Sequence, residues 1–283
     1  MITTLPIVHV VNEVKQHRDA RLASKRRCKP AVAVVAALVA VLAACGVGSP
    51  RGELGENQQI LKTCDAATPP ASLVEVDGTG SSASDQITAE RMTAIESVVR
   101  RTAVCSGVLR VLVFSSSSAA TVPLFDGPLH PDGATDNARL KRVPKLVEDV
   151  MTQIKKTYSP AVAGLDQGGS DITAQYRLAS EWIAQVGAPA RLHLYVLTDG
   201  FQNIGVDLSA GPLSKAEAMA LASQAVMPKL PGASIIVAGL GKVAGAPPRS
   251  DVVEGLVAYY DTLCKRSGAA TCVSVTDYST EGR

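Results

Sequence analysis

Short apolar runs alternate with helical periodicities along this chain, and that alternation leaves few architectures open. Ser72-Leu73-Val74-Glu75-Val76, Val108 to Phe114, the run 191–198 and Ser234 to Ala238 read as buried strands. Between the first two, Ile87, Met92, Ile95, Val98 and Val99 recur at helical spacing over residues 86–104. Leu140, Val143, Leu146, Val147, Val150, Met151 and Ile154 predict a helix over 137–157, which Pro144 should start, end or kink. Further helices are expected over 171–186, 214–226 and 251–267, with a last strand over 272–276. Ser214 followed by Glu217 has the spacing of a capping box. Val122 to Phe125 reads as a short edge strand, because Pro123 cannot donate to a central ladder. Strands alternating with helices imply an α/β fold, a doubly wound and mostly parallel sheet flanked by helices. With one Trp and three Phe, the core must rest on Val, Leu, Ile and Ala, which suits strands buried on both faces.

Three oxygen-bearing segments follow or flank these elements. They are Asp77-Gly78-Thr79-Gly80-Ser81, Gly169-Ser170-Asp171 and Thr198-Asp199-Gly200. In open α/β sheets, ligands bind outside the carboxyl ends of the strands. Hydroxyls and carboxylates gathered there suit magnesium, manganese or calcium better than zinc or copper. Each segment alone also reads as a turn or helix cap, since Asp, Ser and Thr cap well. Asp171 at a helix start favours the helix dipole on its own account.

Together the three segments resemble the metal-ion-dependent adhesion site of the von Willebrand factor A (VWA) family. That pattern is Asp-x-Ser-x-Ser, then a Thr at a Gly-rich helix start, then an Asp after a central strand. Asp77, Thr79 and Ser81 match the first element with Thr for the first Ser, Ser170 stands for the Thr, and Asp199 matches the last Asp. The resemblance spans roughly residues 70–280 and implies a Rossmann-like, VWA-type domain over 66–283. It further implies that Thr79 or Ser81 and Ser170 touch a divalent cation, Mg²⁺ before Mn²⁺ or Ca²⁺. Asp77 and Asp199 would act mostly through water. A carboxylate from a protein partner would then complete the shell.

The amino terminus has another character. Residues 1–29 are polar and basic, and residues 31–44 are an unbroken run of Ala, Val and Leu ending in Leu42-Ala43-Ala44-Cys45. A basic segment, a short apolar run and small residues form a secretory signal, here residues 1–44. As a helix the 14-residue run reaches about 21 Å, short of a hydrocarbon core of about 30 Å. The Leu-Ala-Ala-Cys tetrad resembles a bacterial lipobox, which implies cleavage before Cys45 and acylation of its sulfur. Several acyl chains at one residue hold a membrane far better than one. Residues 45–65 then read as a lipid-anchored tether.

Seven of the 28 Lys/Arg and two of the 26 Asp/Glu precede residue 45, so the remainder carries 21 against 24, a net of −3. With no basic block interleaved with aromatics, nucleic acid is not an expected partner. Gly78-Thr79-Gly80-Ser81-Ser82-Ala83 fits a dinucleotide fingerprint in form, but Asp77 would face the pyrophosphate. The second strand ends in Phe114-Ser115-Ser116 without a ribose-binding acid, so nucleotide is not expected either. With Cys28 in the signal and Cys45 lipidated, Cys64, Cys105, Cys264 and Cys272 remain. An even number in an exported chain suggests disulfides, and no Cys-x-x-Cys or nearby His favours metal instead. Four cysteines permit three pairings. Cys64–Cys105 is favoured because both precede neighbouring strands, and Cys264–Cys272 because it closes a short turn.

An enzyme is not expected. His193 sits within a central strand and reads as packed, while His130 lies in the loop Leu129-His130-Pro131. No Gly-x-Ser-x-Gly elbow occurs. A metal-assisted hydrolase needs a base beside the ion, and Glu75 lies inside a strand. The expectation is a binding or adhesion-type module, lipid-anchored at Cys45 on the extracytoplasmic face of the cell membrane. The alternative is a structural or assembly lipoprotein that keeps the scaffold without using a metal.

Overall fold

A computed structural model of the chain describes residues 52–82, 84–117, 120–209 and 211–280. The signal segment 1–44, Cys28 and Cys45 lie outside the described residues. A six-stranded sheet is built from β1 (Pro70–Asp77), β2 (Val108–Phe114), β3 (Val122–Pro128), β4 (Arg191–Leu197), β5 (Ser234–Ala238) and β6 (Thr271–Val275). The order is β3-β2-β1-β4-β5-β6, parallel throughout except for β3, which pairs antiparallel with β2 at the edge. The α/β, doubly wound expectation holds, and the edge strand expected around Pro123 runs on to Pro128.

Strand order reverses between β1 and β4. From β1 the chain winds outward to β2, and from β4 it winds the other way to β5 and β6. The carboxyl ends of β1 and β4 therefore flank a topological switch point, where loops part and leave a crevice.

Side chains alternate across the sheet and make two cores. Val74, Val76, Val111, Val113 and Leu197 face α2 (Asp85–Val104) and α4 (Val143–Ala163). Ala71, Leu73, Leu112, Phe114, Leu194 and Val196 face α5 (Thr173–Val186) and α7 (Ser250–Ser267), with α6 (Lys215–Gln224) beside α7. With both faces covered, all eight residues of β1 are buried. The capping box of Ser214 and Glu217 is formed.

Three local differences from the sequence reading have physical causes. The single helix expected over 137–157 is two, α3 (Asp136–Leu140) and α4, and Pro144 sits in the first turn of the second. A first-turn proline gives up no hydrogen bond, because that N–H has no helical partner. Next, α4 continues past Pro160 to Ala163, held by Tyr158 and Ala161 in the core. Last, the stretch expected as a tether contains a helix, α1 (Glu53–Leu61). Leu54, Ile60 and Leu61 pack on the first core, buried Asn57 donates to Leu140 O, and the Cys64–Cys105 disulfide ties its end to α2. Both expected disulfides are formed, Cys64–Cys105 and Cys264–Cys272, with Cα separations of 5.4 and 5.7 Å. Among the described residues no helix is long and apolar enough to cross a membrane.

Candidate metal centre

Each of the three oxygen-bearing segments ends up at the β1/β4 switch point. Asp77 closes β1, Thr79 and Ser81 follow it into a short 3₁₀ turn, Ser170 precedes α5, and Asp199 follows β4. Asp77, Asp199, Thr79 and Ser170 are all buried, with both aspartates wholly inaccessible.

Hydrogen bonds join the five side chains into one cluster. Asp77 Oδ1 accepts from Thr79 N at 3.0 Å and Thr79 Oγ1 at 2.7 Å. Asp77 Oδ2 accepts from Ser170 Oγ at 3.1 Å and Thr198 Oγ1 at 2.7 Å. Thr79 Oγ1 and Ser81 Oγ lie 3.4 Å apart, and Ser81 donates to the Asp199 carboxylate. Asp199 Oδ1 also accepts from Phe201 N at 2.9 Å. Burial, and then the negative charge of Asp77, push the Asp199 carboxyl above its ordinary range. Added positive charge would relieve both causes.

Two glycines let the loops approach. Gly200 has φ +86°, and a Cβ there would lie 2.6 Å from Leu240 Cδ2. A Cβ on Gly78 would lie 2.7 Å from Leu165 Cδ1. The Ser170 loop is pinned to the β4 loop on both sides: Ser170 N donates to Asn203 Oδ1 at 2.8 Å, and Thr173 N and Oγ1 donate to Gln202 Oε1 at 2.6 and 2.8 Å. Asp171 is half-buried and accepts from Ala174 N at 3.2 Å, the capping role open to it from the sequence.

Sequence reasoning passed over four residues that build this site: Arg91, Thr198, Gln202 and Asn203. Arg91 is 1 % exposed, and its Nη1 donates to the Asp77 carbonyl at 2.7 Å. Its signal was present, because it sits on the same helical stripe as Ile87 and Ile95. Thr198 adjoined Asp199 in the quoted segment, and nothing in the pattern set it apart. Gln202 and Asn203 act through loop geometry that no local spacing encodes.

The donor set fits a hard cation. Each hydroxyl has one hydrogen and two lone pairs. Thr79 and Ser170 commit their hydrogens to Asp77 and keep lone pairs for a cation. Among the described residues no group of three or more His, Cys, Asp or Glu is placed to hold a metal ion.

The other candidates lie elsewhere. Glu75 is wholly buried with neither carboxylate oxygen bonded, and burial holds its carboxyl well above the usual range. His193 is near the amino end of β4, away from the site, and desolvation lowers it to about 4. His130 is exposed. A groove of about 420 Å³ beside the site runs between α2 and α4, lined by Thr79, Thr88, Arg91, Tyr158 and Ser159. The larger groove, about 520 Å³, lies at α1 and α2 and is lined by none of the converging donors.

No protein family's sequence profile matches the chain, and no curated protein is similar to it. Among solved structures it is similar to an aerotolerance-related membrane protein from Bacteroides fragilis NCTC 9343, at 13% identity and a TM-score of 0.40, over 74% of this chain and 91% of that one. It is similar to the conserved hypothetical protein BatB from Bacteroides thetaiotaomicron, also at 13% and 0.40, over 73% and 90%. It is similar too to the pilus adhesin SpaC from Lactobacillus rhamnosus GG, at 12% and 0.38, over 74% of this chain but 28% of the adhesin. At such identities and scores these likenesses carry nothing about what the chain binds.

Proposed function

We propose that this is a VWA-type binding module, exported and lipid-anchored at Cys45, that takes a carboxylate of a protein or cell-wall partner at a divalent cation. The supporting observation is the convergence of Asp77, Thr79, Ser81, Ser170 and Asp199 at the switch point of the sheet, with Asp77 gathering the hydroxyls around it. Thr79 or Ser81, together with Ser170, would hold the cation through hydroxyl oxygens, with Asp77 and Asp199 acting mostly through water. Magnesium fits this donor set, and manganese or calcium could replace it. The cation supplies a Lewis-acidic position, and few direct carboxylate ligands leave that position open to an acidic partner. The chain's own work is to fix three loops so that the oxygens need no rearrangement.

Calorimetric titration of the protein with Mg²⁺ and Mn²⁺, with Asp77→Ala alongside, tests this. Saturable binding that the variant loses is the expected result, and absence of binding by the parent protein sinks the cation. For the anchor, Cys45→Ser should move the protein out of the membrane fraction, and unchanged retention would refute lipidation.

One observation favours a second reading. Four donors already satisfy Asp77, so the loops cohere without a cation. A scaffold or assembly lipoprotein that keeps the VWA frame would bind its partner equally well in EDTA.

A further inference from the structure

We infer that Arg91 is a built-in counter-charge of this site, and that it makes the cation-loaded site demand one carboxylate from outside. The inference rests on the divalent-cation reading and names what that reading leaves open, the residue that sets its charge balance.

Arg91 projects from α2 in line with Ile87 and Ile95 and is 1 % exposed. Its Nη1 donates to the Asp77 carbonyl at 2.7 Å and its Nε to the Tyr278 hydroxyl at 3.1 Å. The guanidinium lies 5.5 Å from the centre of the Tyr278 ring. Among the described residues, Nη2 has no hydrogen-bond partner and no carboxylate forms an ion pair with the group. A guanidinium stays charged in a protein. Burying it without a directly paired anion is costly. The structure answers that cost at longer range, for Arg91 interacts electrostatically with both Asp77 and Asp199.

One fixed positive charge thus faces two carboxylates. A divalent cation turns a deficit of one charge into an excess of one. In a buried site that excess is expensive, and one carboxylate from a partner removes it. The same positive charge repels the incoming cation. Arg91 therefore weakens the hold on metal and strengthens the demand for an acid.

The test titrates the full chain, Arg91→Gln and Arg91→Lys with Mn²⁺ alone, then with acetate at saturating Mn²⁺. Binding of Mn²⁺ by the parent protein reads the cation proposal, and the ratios between variants read this one. Arg91→Gln should bind Mn²⁺ about tenfold tighter and acetate about tenfold more weakly, as loss of a nearby charge requires. Arg91→Lys restores an amine but not the planar fork over the Tyr278 ring, so it should fall between the parent and Arg91→Gln in both. Unchanged or weaker Mn²⁺ binding by Arg91→Gln overturns the inference. If that variant does not fold, Arg91→Met, which also removes the charge, decides by the same two ratios. Saturable binding by Arg91→Gln alone would support the counter-charge while refuting cation use by the native chain. No binding by any of the three overturns both.

Discussion

The two ends of the parallel strands are built from different chemistry. At the amino end the ties are covalent or neutral. Cys64–Cys105 joins the approach to β1 to the end of α2, and Cys264–Cys272 joins the end of α7 to β6. Thr102 Oγ1 bonds Ser72 Oγ at 2.7 Å, and half-buried His193 is kept neutral by desolvation. Charge stays outside there, as in the exposed Arg191–Asp65 pair. At the carboxyl end no disulfide occurs among the described residues. Two buried aspartates, a buried arginine and a set of hydroxyls hold the loops instead. Glu75 lies between, buried on β1 with no hydrogen-bond partner among the described residues, and burial pushes its carboxyl well above the usual range. Among the described residues, the buried carboxylates that gather donors, Asp77 and Asp199, both lie at the carboxyl end. One end is held by covalent and neutral ties, and the other by buried charge.

Substitutions at the two ends should separate these roles. Asp77→Ala should have the largest effect, because it strands the four donors on its carboxylate. Breaking such a buried charged network costs about 3–5 kcal/mol, and cation binding should vanish. Chemical denaturation and calorimetry on the same sample check both. Opening the other end with Cys64→Ala/Cys105→Ala releases a loop of sequence separation 41. The loop-entropy relation puts this at about 4 kcal/mol, with cation affinity unchanged. A variant of that disulfide that also lost the cation would break the division between the ends.

His193 gives the amino end a pH signature. Burial pushes its pKa in the folded chain down to about 4 from the ordinary 6.5. Above about 6.5 both folded and unfolded forms are neutral, and the group contributes its full share. As pH falls from there towards 4 the unfolded chain takes up a proton that the folded one refuses, so stability is lost. The span corresponds to at most about 3 kcal/mol, and partial exposure reduces it to roughly 2 kcal/mol. Stability curves of the parent and His193→Gln should therefore converge above pH 7 and diverge below 6. Parallel curves would mean that the ring is solvated.

How far the sequence disclosed this follows from what each feature depends on. The sheet was legible because parallel strands buried on two faces leave runs such as Leu73 to Val76 and Leu192 to Leu197. Asp77, Thr79 and Ser81 were legible because one loop carries them at fixed spacing. The helix Glu53–Leu61 was not, because its contacts with α2 and α3 are long-range and its own stretch is polar. Arg91 was concealed by an opposite cause. It sits within a clear helical stripe, and a periodicity search counts such a residue as a gap in the apolar face. A buried guanidinium four residues after Ile87 on that face needs a buried acceptor, and the Asp77 carbonyl supplies one from the adjoining strand.

The smallest predicted effect is the most discriminating. Ser170→Ala removes one of the two long-range hydroxyls on Asp77 Oδ2 and leaves Thr198 on the same oxygen at 2.7 Å. The carboxylate stays satisfied, so the stability loss should be about 1 kcal/mol, that of one hydrogen bond. A purely structural cluster would register only that. If the hydroxyl also lends its lone pair to a cation, affinity should fall about tenfold, the worth of roughly 1.4 kcal/mol in a binding constant. Thr198→Val deletes the companion hydroxyl, which the VWA resemblance does not assign to the cation; because that hydroxyl also accepts from Gly200 N at 3.0 Å, the stability cost should be about 2 kcal/mol, that of two hydrogen bonds. Calorimetry on the pair then compares two hydroxyls that share one acceptor. A cation affinity that drops for Ser170→Ala and holds for Thr198→Val assigns Ser170 to the ion. Equal drops would mean that both merely orient Asp77, and the carboxyl end would then differ from the amino end only in the charge it carries.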